Sequence, residues 1–165
     1  MAGTTEEIKE TSNQKLQCCT FRIAGRLFGV DIHDVKEIFP EVSLTPVFHA
    51  PKEVKGYVNI RGQIYLILDL RLILGHEEKP VDKESCLVLF KPSVAEPFGI
   101  LVDKIGDVVV VEKEQMEKNR PSLSDVEKRS DLINFVCKLE KALLVVLNPK
   151  KILEYIDADK EGTDG

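Results

Sequence analysis

The sequence of 165 residues contains no tryptophan, two methionines and only 6% aromatic residues. That scarcity argues against a groove that stacks bases, because single strands are gripped by aromatic platforms along a basic channel. A basic excess is missing as well. Twenty-eight acidic residues outweigh 23 basic ones, for a formal net charge of −5. Phosphate backbones call for a basic face, so nucleic acid is not expected as the main partner, although one local basic patch is compatible with this total. No apolar run approaches the roughly 18 residues of a membrane-spanning helix. The polar segment from Met1 to Lys15 carries no apolar core of a secretory signal.

Cysteine is sparse: Cys18, Cys19, Cys86 and Cys137. Without a signal segment the expectation is a reducing, cytoplasmic location with free thiols. Cys19, Cys86 and Cys137 lie inside apolar runs and read as small buried hydrophobes.

Motifs for chemistry are also missing. The chain has no G-x-G-x-x-G, no Walker loop and no G-x-S-x-G. His33, His49 and His76 have no helix-spaced partner and no nearby C-x-x-C, so no metal site is expected. Asp69, Asp103 and Asp107 stand at strand ends, where an aspartate commonly bonds backbone donors of a turn. The expectation is a protein that is not an enzyme and needs no cofactor.

What the chain does have is a 43% apolar share, dealt out in short runs. In Cys19-Thr20-Phe21-Arg22-Ile23 apolar and polar residues alternate, the period of a half-buried strand. Ala24-Gly25-Arg26 reads as a turn, and Phe28, Val30 and Ile32 alternate again, so a hairpin is predicted. Ile32, Val35 and Ile38 are spaced by three, which allows one helical turn. Pro40, Pro46 and Pro51 punctuate an irregular connection. Tyr57–Ile60 and the nearly continuous apolar run Gln63–Leu70 flank Arg61-Gly62. Such a run suggests a strand covered on both faces. Leu70–Leu74 turns helical before Gly75. Strands follow at Cys86–Phe90, Phe98–Val102, Asp107–Glu112, Phe135–Leu139 and Ala142–Leu147, with a polar connection over Lys113–Asp131. Asn148-Pro149 opens a last helix, whose apolar face is Ile152, Leu153 and Ile156. About nine short strands and no helix between each pair favour small antiparallel barrels or a sandwich. The expected organisation is a polar tail over residues 1–15, one domain over 16–156, and a frayed acidic tail over 157–165.

From Phe21 to Leu74 the chain resembles CheW-like domains. The residues that carry the resemblance are Val35-Lys36-Glu37-Ile38, Thr45-Pro46, Ala50-Pro51, the stretch from Val54 to Gly62 with its Gly-x-x-Asn-x-Arg-Gly pattern, and Leu68-Asp69-Leu70-Arg71. Gly99 to Val108 is similar to the family's second signature, and Leu147 to Leu153 to its last strand and helix. One departure is Leu66, where the family commonly has proline. A proline suits an edge or bulge, so Leu66 lets this strand pair more regularly.

The resemblance implies an all-β fold of two small five-stranded SH3-like β-barrels sharing a core, with short helices including one near the C-terminus. It implies an adaptor of chemotaxis-type signal transduction. The expected partners are the regulatory domain of the CheA histidine kinase and the cytoplasmic tip of methyl-accepting chemoreceptors, in arrays at the membrane. The alternative is a nucleic-acid-binding small β-barrel. The receptor and kinase interface is expected at Val35, Glu37, Arg61, Val102 and Val108. Arg61 is read either as a turn residue held by a backbone carbonyl or Asp69, or as an exposed guanidinium at the interface. Val35, Val102 and Val108 also suit core packing. Gly56 and Gly62 are read as structural turn residues.

Overall fold

Tight hairpins set the frame of the molecule, and the computed structural model describes it over residues 15–117 and 127–164. Ala24 and Gly25 have φ of 52° and 79°, and Arg61 and Gly62 have φ of 52° and 83°. Two successive positive φ values give two-residue turns whose twist matches that of the strands they join. The first turn joins β1 (Lys15–Ile23) to β2 (Arg26–Asp31), and the second joins β4 (Val54–Ile60) to β5 (Gln63–Asp69). Between these hairpins lie a 3-10 turn (Ile32–Asp34) and β3 (Val35–Phe39). The spacing of three in Ile32, Val35 and Ile38 therefore marks only a single turn, and Val35 and Ile38 are strand residues.

Helix α1 (Leu70–Ile73) follows β5. Its end is built as expected: Gly75 has φ of 89°, its N–H bonds the Leu72 carbonyl, and the His76 N–H bonds that of Arg71. Then come β6 (Cys86–Phe90), β7 (Phe98–Val102), β8 (Lys104–Glu112), β9 (Met116–Glu117), β10 (Ile133–Lys138) and β11 (Leu143–Leu147). The chain closes with α2 (Pro149–Asp164), where Asn148 Oδ1 accepts the Lys150 N–H at 3.1 Å as an N-cap. This helix runs to Asp164, past the Asp157 at which the sequence suggested a frayed tail. Of the tail expected over residues 1–15, residues 1–14 lie outside the described residues, while Lys15 pairs with Glu112 in the sheet.

The strands form two sheets. One has the order β8-β1-β2-β11-β10-β9 and the other β3-β6-β7-β5-β4. Both curl until their ends meet. In the first, β8 and β9 stand at opposite ends yet are joined by the turn Lys113–Gln115, a reach of only about 15 Å. In the second, the chain leaving β3 returns to β4, where Thr45 and Tyr57 exchange two backbone hydrogen bonds of 2.8 Å. Among the described residues the first sheet thus has six strands rather than five, because the two-residue β9 pairs with β10. Nothing in the polar run Lys113–Asp131 announces so short a strand.

Alternation explains the core. Along β5, β6 and β7, Tyr65, Ile67, Leu87, Leu89 and Leu101 fill the interior of the second barrel. Their neighbours Leu68, Val88, Phe98, Ile100 and Val102 face the other way and meet Phe21, Ile23, Phe28 and Val30 of the first barrel. The face of α2 bearing Ile152, Leu153 and Ile156 joins this shared core. Cys18, Val111, Cys137, Leu144 and Val146 fill the first barrel. Strands between two apolar compartments bury both faces, which is why several read as unbroken apolar runs. Leu66 uses its freedom from proline: its N–H bonds the Pro97 carbonyl at 3.2 Å.

Candidate functional site

The β4–β5 turn projects one side chain with unusual definition. Asn59 Oδ1 accepts the Gly62 N–H at 3.0 Å and pins the turn from within. Arg61, at the tip, then reaches β3: its Nη1 and Nη2 donate to Glu37 Oε2 and Oε1 at 2.8 and 2.9 Å. A fork-to-fork pair of this kind fixes direction as well as distance. It forms because β3 and the β4–β5 turn meet where the second barrel closes. The partner of Arg61 is therefore Glu37, neither a backbone carbonyl nor Asp69. Asp69 instead caps α1 through the Leu72 N–H and lies 3.6 Å from Lys55.

The pair faces solvent. The Arg61 side chain is 72% exposed and Glu37 27%. The hydrogen bond from Arg61 holds the Glu37 carboxyl below the ordinary carboxylate range. A depressed pKa keeps the charge, and hence the pair, intact down to mildly acidic pH, and the pair is lost only as the pH falls through that lowered value.

The other expected interface residues are not gathered around this pair. Val35 is partly buried and packs against the shared core. Val108 lies on β8 of the first barrel and is 53% exposed, with Val110 beside it on the same face at 52%. The interface reading of Val102 is corrected in favour of core packing: it is 1% exposed and lies in the shared core, because β7 runs between two apolar compartments and is buried on both faces. Gly56 and Gly62 are backbone residues of the second barrel, and Gly56 passes close to Thr45.

Sequence reasoning missed a second apolar patch on the outer face of β4 and β5. Tyr57 and Ile64 are 42% and 54% exposed there, and Phe48 in the preceding loop is 88% exposed. The run Gln63–Leu70 is thus covered on both faces only from Tyr65 onward. The signal lay in the cross-strand pair: Ile64 stands opposite Asn59, a polar residue on the same face. Among the described residues no group of three or more His, Cys, Asp or Glu is arranged to hold a metal ion.

The family model of the CheW-like domain matches residues 17–157. The chain belongs to the CheW-like family. Among its relatives is the probable chemotaxis protein CheW of Rhizobium etli, 30% identical over 123 residues that cover 74% of this chain and 78% of that one. The chemotaxis protein CheW of Thermotoga maritima is 26% identical over 149 residues, covering 90% and 94%. Among solved structures, the scaffolding protein TtCheW of Thermoanaerobacter tengcongensis superposes with a TM-score of 0.74 at 23% identity, over 84% of this chain and 92% of that one. The CheW-like fold read from the sequence is therefore the fold of the molecule, and its relatives are chemotaxis proteins and a scaffold. None of these likenesses favours the nucleic-acid alternative.

The thiols of this CheW-like chain have no partner cysteine: all four are free and buried. Burial pushes Cys18 up to about 12 and Cys137 to about 11, and raises Cys19 and Cys86 as well. A raised thiol pKa leaves almost no thiolate near neutral pH, and the thiolate is the reactive form. Ellman's reagent near neutral pH is expected to leave the native protein almost unlabelled and to titrate all four thiols in concentrated guanidinium. Rapid labelling of a native thiol would show that the barrel carrying it opens far more readily than its packing indicates.

Proposed function

We propose that this protein couples chemoreceptors to the CheA histidine kinase as a non-enzymatic adaptor. It would work in the cytoplasm, at membrane-associated receptor arrays, and bind the kinase regulatory domain and the receptor's cytoplasmic tip together. The carrying observation is the separation of its exposed apolar faces. One, Val108–Val110, lies on the first barrel; the other, Phe48, Tyr57 and Ile64, lies on the second with the Arg61–Glu37 pair nearby. A coupler needs two faces held in a constant relation, and apolar patches rimmed by charge are the ordinary means of protein recognition. Arg61 is the interface anchor of the second barrel, where a rigid guanidinium suits an acidic or carbonyl-rich surface.

Calorimetry with a CheA regulatory domain and a receptor-tip fragment from the same operon tests this reading. Binding of both is the expected result; a folded protein that binds neither is not an adaptor of this kind. Arg61→Glu places two acids face to face and is expected to weaken receptor binding by about tenfold or more, because opposed like charges mismatch an interface. The melting temperature should barely move, since the pair is solvent-facing. A large fall in melting temperature with unchanged binding would assign Arg61 to the turn alone.

A further inference from the structure

Among the described residues the chain passes between the two sheets twice, through Ile32–Asp34 and again between β7 and β8. At the second passage the joint is one residue, Asp103: Val102 ends a strand of the second barrel and Lys104 begins one of the first. This residue is bonded to both barrels at once. Its Oδ2 accepts Arg71 Nη1 at 2.7 Å, from α1 of the second barrel. The same oxygen accepts the Ala24 N–H at 2.9 Å, from the β1–β2 turn of the first. Its own N–H donates to the Arg22 carbonyl at 3.2 Å, also in β1. Arg71 is in turn steadied by its Nε, which donates to the Glu77 carbonyl at 2.8 Å.

We propose that Asp103 and Arg71 are positioning residues that set the angle between the barrels and thereby the relation of the two binding faces. The shared core holds the barrels together, but apolar burial is non-directional and tolerates rotation of one apolar surface over another. A charge-assisted pair whose side chains are only 19% and 16% exposed is directional and weakly screened. By contrast, Lys104–Glu84, which also spans the barrels, is 63% and 59% exposed and is screened by solvent. At the first passage the link is a backbone bond, from the Lys91 N–H to the Asp34 carbonyl at 2.9 Å. Asp103 is thus where a side chain governs the joint. Its consequence for coupling rests on the adaptor reading above; its consequence for geometry does not.

The test is a distance measurement between spin labels on the full chain. Lys138→Cys on the first barrel and Gln63→Cys on the second give an inter-barrel pair at exposed positions, and Lys36→Cys with Gln63→Cys gives a control within the second barrel. The native thiols are buried and should stay unlabelled. In the otherwise unaltered protein the inter-barrel distribution is expected to be as narrow as the control. A broad one overturns the proposal without any variant at the joint. Asp103→Asn and Arg71→Gln are expected to broaden or shift the inter-barrel distribution by several ångströms while the control stays fixed. Binding of the receptor-tip fragment to protein already loaded with the CheA regulatory domain should weaken about tenfold, and Arg71→Lys should recover part of both effects. If the variants lower only the melting temperature and leave the inter-barrel distances unchanged, the pair is a simple stabiliser and the proposal fails. If the distances change as expected but the unaltered protein binds neither kinase nor receptor, the joint stands and the adaptor reading falls.

Discussion

Gly56→Ala is expected to destabilise the protein by about 4 kcal/mol or more, enough to leave much of it unfolded at 37 °C. The reason is a backbone collision. A Cβ at position 56 would lie 2.4 Å from the Thr45 carbonyl oxygen and 3.0 Å from its carbon. A rigid backbone cannot yield as the tip of a long side chain does. The position also has φ of 148°, which side-chain-bearing residues rarely adopt. The displaced residue is the one that closes the second barrel: Thr45 and Tyr57 exchange both of their backbone hydrogen bonds at this point. Gly62→Ala is the matched control. Its φ is 83°, but no atom lies within 4 Å of the added carbon, so only the left-handed conformation is penalised, by about 1–2 kcal/mol. Denaturant unfolding of the two variants beside the parent measures the contrast. Equal losses would mean that the close approach at Thr45 relaxes at little cost.

Phe98→Ala should cost about 3–5 kcal/mol, a fall of roughly 10 °C in melting temperature. Phe98 is 1% exposed, and its ring lies 4.9 Å from that of Phe90, tilted by 33°. Both rings belong to the cluster built by the two barrels and α2 together. Truncation therefore opens a cavity in the compartment that neither barrel owns. The two barrels are expected to unfold in one transition in the parent and in the variant. Tyr65 offers the comparison, since it lies inside the second barrel alone. Calorimetry of Phe98→Ala that shows two separated transitions would mean that the barrels are stable apart, contrary to the role assigned to the shared core.

Most strands were legible because their signals are local. Ala24-Gly25 and Arg61-Gly62 stand between alternating apolar runs, and both are two-residue turns with positive φ. Asn148-Pro149 announces the closing helix, and Gly75 announces the end of α1. The strand β9 was not legible. Met116 and Glu117 pair with β10 only because the curled first sheet brings that edge within reach, and two residues carry no period.

The candidate site divides in the same way. Arg61 stood out by its motif, but its partner did not. Glu37 is 24 positions earlier, and no spacing rule connects a strand to a turn at the far edge of the same sheet. Val102 and Val108 looked alike in the sequence, two valines flanking one signature, yet one is 1% exposed and the other 53%. Their difference is a matter of which face has another barrel behind it. Ile64 and Phe48 were missed for the opposite reason: apolar residues are presumed covered until the covering element proves absent.

By itself the sequence determined the strand and turn vocabulary, the closing helix, the absence of motifs for familiar chemistry and the family. These follow from the side-chain period of a strand, from φ preferences and from linear motifs, all read over a few neighbouring residues. Only the tertiary structure decided the closure of the two sheets, the Arg61–Glu37 and Arg71–Asp103 pairs, and the division of apolar residues between core and surface. Each depends on contacts between segments far apart in the chain, whose meeting is set by the packing of whole barrels against one another.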